Sequence, residues 1–337
     1  MNSDNQKYSS FALCREMLET PRVMKNFRQE NMAAIAEVLK DSSDLMFTGE
    51  GSSRIFPAKH SRAAALRKAG SGIIPHTEGS TQALEYNLSG YGVLGASNSG
   101  RTKELVRLFR ALKKAGHKKL CAVTANPDTP LEETSEATLV LGCGPEDAVA
   151  ATKSVVEQAL AVQTLMSLLN GTDLPDINPG AEAVEATLNM PVPQQFSSAM
   201  ASARSIFFAG RNDGVAEELT LKTNEIVRKQ SDFLEGTYTA HGIEEIMVKE
   251  DVVILVNPFP EEEEKFRECL IDGVGLSVIA IASRDTMFPT LKVPHVPEWQ
   301  EYIQLAAGWN LLVEAGLAAG VDLDKPQRAR KVGNEIG

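Results

Sequence analysis

Strand-length apolar runs alternate with helix-patterned stretches along most of this chain, and the alternation occurs twice. In the first half, residues 45–48, 72–75, 93–96, 120–123 and 139–141 read as short strands, with helical patterns over 54–69, 77–88 and 102–115. Alternation of this kind predicts a parallel sheet with helices on both faces, because parallel strands need crossovers and lie buried between layers. A long helix is predicted from about 150 to 169, stopped at Asn170-Gly171. Residues 171–180 read as a linker and Pro191 and Pro193 punctuate again, after which the pattern restarts. Strands are expected at 205–209, 252–256 and 276–281, and helices at 213–228, 261–271 and 299–319. The fold class predicted is α/β, with two tandem doubly wound parallel-sheet domains. The first spans 1–175 with leading helices, and the second spans 176–337 with a C-terminal tail. Leu45-Met-Phe-Thr-Gly-Glu-Gly before one helix echoes Ile206-Phe-Phe-Ala-Gly-Arg-Asn before another, a weak internal duplication. Open sheets of this type bind ligands at the strand ends.

The segment 92–102 carries the most chemistry. An apolar run ends, Ser97, Ser99 and Gly100 follow, and an amphipathic helix begins after Thr102. The first turn of a helix has amide hydrogens without intrahelical partners and a partial positive charge, so it can hold an anion. Three rotatable hydroxyls around that point suit a phosphate-sized group. One such turn read alone is more often an ordinary cap.

Composition narrows the function. A net charge of −11 with no basic stripe, and 6% aromatic residues, argue against nucleic acid as a partner. No apolar run is long enough to span a membrane, and the N-terminus lacks the apolar core of a signal peptide, so a cytoplasmic location is expected. Cys14, Cys121, Cys143 and Cys269 are widely spaced, and the five histidines form no metal-ligating pattern; no metal and no cofactor is expected. Gly49-Glu-Gly-Ser-Ser-Arg54 lacks the third glycine of a dinucleotide fingerprint, and neither a P-loop nor a GxSxG elbow is present.

Taken together, these turns give the chain a resemblance to the sugar isomerase (SIS) family. It is most similar to the tandem-SIS isomerase half of glutamine:fructose-6-phosphate amidotransferase and its stand-alone relatives. The resemblance runs over about residues 40–335. It rests on Gly49-Glu-Gly-Ser-Ser, Ser97-Asn-Ser-Gly-Arg-Thr and Val149-Ala-Ala-Thr-Lys. It rests also on Leu221-Lys-Thr-Asn-Glu-Ile, His241-Gly and the tail Asp324-Lys-Pro…Arg330-Lys-Val. It implies substrate contacts from Gly51, Ser52, Ser53, Ser97, Asn98, Ser99 and Thr102, with Ala150 and Ala151 beside them. Ser97, Ser99 and Thr102 would hold the 6-phosphate. Glu225 would shuttle a proton between C1 and C2, a step that suits a carboxylate with a pKa raised by burial.

Lys222, three residues before Glu225 on one helix face, is either an ion-pair partner or a cation for a developing enolate. The resemblance has His241 opening the sugar ring, supplied by the neighbouring chain of a homodimer, and Lys331 forming an imine with the open-chain ketose. Read without the resemblance, Glu225 is a surface helix glutamate, and Arg328 to Lys331 is a solvated basic tail. The glutaminase domain of the bifunctional relatives has no counterpart here, so the expected chemistry is aldose–ketose isomerisation of a hexose 6-phosphate coupled to amine loss. The hexosamine-6-phosphate deaminase and fructosamine-6-phosphate deglycase types both fit. A plain phosphosugar or 6-sulfo-sugar isomerase and a non-catalytic sugar-phosphate sensor are the alternatives. Three departures stand out: His241-Gly-Ile replaces His-Gly-Pro, Ala151 stands where serine is usual, and Arg54 and Arg101 flank the two turns.

Overall fold

The computed structural model describes residues 1–68, 72–328 and 335–336. The chain forms two compact units. One contains Arg22–Pro145, Ala151–Ile177 and the C-terminal residues Glu335 and Ile336; the other contains Met1–Pro21, Glu146–Ala150 and residues 178–328.

The first unit is built on β1 (Asp44–Gly49), β2 (Ile74–Gly79), β3 (Gly92–Ser97), β4 (Leu120–Thr124) and β5 (Ala137–Val140), in the order β2-β1-β3-β4-β5. Every neighbouring pair is parallel. The central strands β3 and β4 are buried at every position, as expected of strands covered on both faces. Phe109, Leu105 and Leu108 of the helix Lys103–Lys114 pack into the core with Met46, Val93 and Leu120. The helix Lys153–Leu169 buries thirteen of its residues. The buried set includes Lys153, Ser154, Glu157 and Gln158, so protein encloses the helix on nearly every side.

The second unit repeats the plan with β6 (Ser205–Gly210), β7 (Gln230–Glu235), β8 (Val252–Val256), β9 (Ser277–Ala282) and β10 (Thr290–Lys292). Their order is β7-β6-β8-β9-β10, again parallel throughout. The two sheets are therefore tandem doubly wound sheets of one topology, and the echo between 45–51 and 206–212 marks equivalent strands β1 and β6.

Three expectations are corrected. The helix expected at 77–88 is strand through Gly79 and then a short helix, Ser80–Ala83. Six residues of β2 pair with β1, and this pairing outweighs the local pattern. Pro75 is tolerated because β2 is an edge strand. The long helix begins at Lys153 rather than about 150, leaving Ala150 and Ala151 before it. The helix expected at 261–271 is Glu263–Phe266 continued by a π-helical stretch, Arg267–Val274.

Candidate functional site

In the first sheet the chain leaves β1 in one direction and β3 in the other, so the strand order reverses between them. Crevices outside the carboxyl ends of strands at such a switch point are where doubly wound sheets take ligands. Both predicted turns stand there. Gly49 is paired with Ala96, and the residues after each strand end form the turns 50–54 and 97–102.

The two turns approach so closely that only glycine fits at 49, where a Cβ would lie 2.6 Å from the Ala96 carbonyl oxygen. Gly51 takes a positive φ of 53° and opens a 3-10 turn through Ser53. Ser52 and Ser53 are half-buried.

The second turn is pinned from within. Ser97 Oγ is buried, lies 2.8 Å from Thr102 Oγ1 and accepts the Gly100 N–H at 3.1 Å. Ser99 Oγ accepts the Arg101 N–H at 3.2 Å. Gly100 has φ +66°, and a Cβ there would meet the Thr129 side chain at 2.5 Å.

The Asn98 carbonyl accepts from Ala125 N at 3.0 Å and from Asn126 Nδ2 at 2.9 Å. In a trans peptide the C=O and the following N–H point oppositely, so these donors turn the Ser99 N–H away from the 124–126 loop. Thr124 and Asn126 were not foreseen. Nothing in the sequence marks them, since their role depends on β4 lying beside β3. The chain end also returns to this turn: Glu335 bridges Thr102, and Ile336 N–H donates to the Arg101 carbonyl at 3.0 Å.

In the second unit, the helix Val215–Ile226 follows β6 after Gly214, whose φ is +88°. Glu218, Lys222 and Glu225 recur at four- and three-residue spacing and so share one face. Lys222 Nζ lies 2.9 Å from Glu225 Oε2 and 3.4 Å from Glu218 Oε1. Lys222 and Glu218 are fully buried, whereas Glu225 keeps 21% of its side chain exposed. Burial works to discharge Lys222, but Glu225, Glu218 and Glu146 together outweigh it and hold the ammonium above its ordinary range. Lys222 is thus a fixed cation beside a carboxylate that solvent can reach.

His241 follows a 3-10 turn after β7 and is exposed, next to Gly242 with φ +100°. Its ring makes no hydrogen bond to Lys222 or Glu225 among the described residues. Ala150 is buried and Ala151 half-buried in the stretch before the long helix. Lys331 lies outside the described residues.

Other features carry less. A hollow of about 640 Å³ lined by Tyr8, Met190 and Glu314 has its polar groups engaged, since Lys7 and Tyr8 both donate to Glu314. Burial pushes the Cys14 and Cys121 thiols up to about 12, which makes them inert packing groups. No helix among the described residues is long and apolar enough to cross a membrane.

Residues 90–168, which include β3 and the 97–102 turn, match the model of the SIS domain. The glutamine–fructose-6-phosphate aminotransferase [isomerizing] of Staphylococcus aureus is 27% identical over 255 residues, covering 70% of this chain. The match covers 42% of that protein, so the chain spans about two fifths of the length of such curated relatives. Among solved structures, the tagatose-6-phosphate ketose/aldose isomerase of Escherichia coli superposes with a TM-score of 0.77 at 17% identity, covering 96% of this chain and 98% of that one. Glucosamine-6-phosphate deaminase from Thermotoga maritima gives 0.72 at 17% identity, covering 96% and 98%. A parallel sheet whose switch point carries the hydroxyl turn, together with these matches, makes this a SIS-domain protein, related in sequence to the isomerizing aminotransferases and sharing its tandem fold with stand-alone phosphosugar enzymes.

Proposed function

We propose that the protein interconverts an aldose and a ketose carrying an anionic group at C6, a hexose 6-phosphate in the first instance. The observation that carries this reading is the contact between buried, protonated Lys222 and half-exposed Glu225. Glu225 takes the C2 proton of the open-chain aldose, and the electron pair moves toward C1 to give an enediolate. The same carboxyl returns the proton to C1 while the O2 proton passes to O1 through solvent, so that the C2 oxygen becomes the carbonyl and O1 the hydroxyl. Lys222 balances the negative charge that develops on the enediolate. Ser97, Ser99, Thr102 and the amides of the turn hold the anion, Asn98 shapes the turn, and Gly51, Ser52, Ser53, Ala150 and Ala151 line the sugar.

Coupling to amine loss is the second reading, and it needs an amine other than Lys222. A lysine held protonated cannot attack a carbonyl, so an imine with the ketose has to come from another amine. Lys331 stands four residues before Glu335, whose backbone bridges Thr102 in the anion turn. The same proposal has the protein act as a cytoplasmic homodimer. His241, exposed and remote in bonding from Lys222 and Glu225, opens the ring in the partner's site.

The test is exchange of the C2 proton with solvent, followed by NMR across hexose 6-phosphates, their 2-amino derivatives and 6-sulfo sugars, with ammonia release measured alongside. Exchange at C2 of glucose 6-phosphate or at C1 of fructose 6-phosphate that is lost in Glu225→Gln supports isomerisation. Ammonia release lost in Lys331→Met supports the coupled reaction. Ligand-raised melting temperature without exchange on any substrate would make the protein a sensor.

A further inference from the structure

Arg54 and Arg101 stand at matching places on the two turns. Gly49 and Ala96 are register partners, and each arginine lies five residues beyond one of them. Both are half-buried. Among the described residues neither forms an ion pair with a carboxylate. The Arg54 guanidinium makes a long hydrogen bond to the neutral Thr77 hydroxyl, 3.4 Å. The Arg101 backbone is fixed on both sides, its N–H by Ser99 Oγ and its carbonyl by Ile336 N–H. This leaves the residue anchored, with no ion-pair partner for its guanidinium among the described residues. Glu50, four residues before Arg54, is committed to the Ser80 N–H at 2.9 Å, and Glu104, three residues after Arg101, is engaged by another group.

Half-buried guanidiniums usually find carboxylates, and in a chain of net charge −11 acids are plentiful. Two that form no ion pair among the described residues, at equivalent positions on the two turns of one switch point, lack a counter-charge that the ligand can supply. A guanidinium presents a planar fork that matches two oxygens of a tetrahedral oxyanion.

We infer that Arg54 and Arg101 are ligand-contacting, specificity-determining residues that grip the tetrahedral oxyanion at C6, a phosphate ester or a sulfonate, held by the hydroxyl turn. The inference rests on the anion role proposed above for the turn at 97–102. The two sources differ in charge. A phosphate ester becomes a dianion near neutral pH and can neutralise both guanidiniums, whereas a sulfonate remains a monoanion.

The experiment is a thermal and calorimetric titration of the full-length protein with inorganic phosphate, sulfate, glucose 6-phosphate and 6-sulfoquinovose. It is run on wild type, Arg54→Gln, Arg101→Gln, the two Arg→Lys variants and Ser97→Ala. Each Gln variant is expected to weaken anion binding about tenfold and the pair about a hundredfold, with lysine restoring part of the loss. Without anion, the Gln variants should melt at or above the wild-type temperature, because a half-buried cation without a carboxylate partner has been removed. A purely structural arginine would do the opposite. Binding that strengthens above pH 6–7 for phosphate but stays flat for sulfate identifies the phosphate source, and the reverse affinity order identifies the sulfonate.

Wild type that binds with Ser97 dependence, while both Gln variants bind equally well, overturns the arginine assignment and leaves the turn in place. Wild type that binds none of the four ligands removes the anion turn and this inference with it.

Discussion

The two sheets have one strand order and two different crevices. β1 and β6 both end in a glycine that abuts the neighbouring switch strand: a Cβ on Gly49 would lie 2.6 Å from the Ala96 carbonyl oxygen, and one on Gly210 would lie 3.0 Å from that of Val256. Beyond those glycines the similarity ends. The first crevice is rimmed by Ser52, Ser53, Ser97, Ser99 and Thr102. In the second, the Arg211 guanidinium lies 4.1 Å over the Phe259 ring and donates to the Asn257 carbonyl, so the protein's own cation fills the space. A duplicated scaffold keeps the glycine that lets the switch strands approach and is free to change the loops. On the proposed reading, the first unit kept the ligand grip, while the second closed its crevice and put chemistry on the helix Val215–Ile226.

The sharpest way to break this comparison is to move the effect between units. Glu225→Gln should lower the rate of C2 proton exchange about a thousandfold. Calorimetric affinity for the sugar phosphate should be left within a few-fold of wild type. A large loss of affinity with little loss of rate would put Glu225 among the binding groups and cancel the division.

Next in size is Lys222→Met, which leaves two carboxylates on one helix face without that cation. Removing one partner of a buried pair costs about 3 kcal/mol, measurable by urea denaturation. The pH dependence has a definite sign. The folded-state pKa of Lys222 is raised above 10.5, so its contribution is complete below that value and is lost as pH rises through the folded value. The alkaline arm of the stability curve should therefore be steeper in wild type than in the variant. Equal arms would mean that the ammonium is not stabilised by its neighbours.

Ser97→Ala sits lower on the scale. It removes a buried hydroxyl that holds the Gly100 amide and meets Thr102, and should weaken sugar-phosphate binding about tenfold with kcat little changed. Arg211→Ala, the matching change in the other crevice, should leave that affinity unchanged. If Arg211→Ala alters it as much as Ser97→Ala does, the closed crevice is a ligand site after all.

How legible was this in the residues? The interior strands β1, β3, β4, β6, β8 and β9 all stood out as apolar runs, because strands covered on both faces must be apolar throughout. The edges did not. β7 (Gln-Ser-Asp-Phe-Leu-Glu) and the three-residue β10 were missed, and β2 was half taken for helix. Edge strands are half-exposed and defined by the neighbour they pair with, which no local pattern encodes. The same logic separates the site residues. Ser97, Ser99 and Thr102 announced themselves because the strand–turn–helix junction is local. Glu218 gave no signal because its importance comes from burial beside Lys222, and Asn126 gave none because it acts across β3 and β4. Arg54 and Arg101 were visible as departures from the resemblance, but that they lack carboxylate partners is a property of the fold.

The smallest expected effects test the one feature that both units share. Gly49 and Gly210 have φ values any residue adopts, so alanine at either position introduces no backbone strain and only adds a methyl group. At Gly49 that methyl would sit 2.6 Å from a main-chain oxygen, a distance that forces β1 and β3 apart at their ends. At Gly210 it would meet the Val256 carbonyl at 3.0 Å and the Ala216 and Val256 Cβ atoms at 3.3 Å, contacts that a few tenths of an ångström relieve. Overpacking of this kind costs about 1–3 kcal/mol, so Gly49→Ala belongs near the top of that range and Gly210→Ala near the bottom. Separating the strand ends also shifts the turns at 50–54 and 97–102 relative to each other. Gly49→Ala should therefore weaken anion binding as well as stability, whereas Gly210→Ala should change stability alone. Thermal melts with and without inorganic phosphate measure both. Equal losses of ligand response in the two variants would show that the second crevice is coupled to the anion turn, and the functional contrast between the sheets would fall.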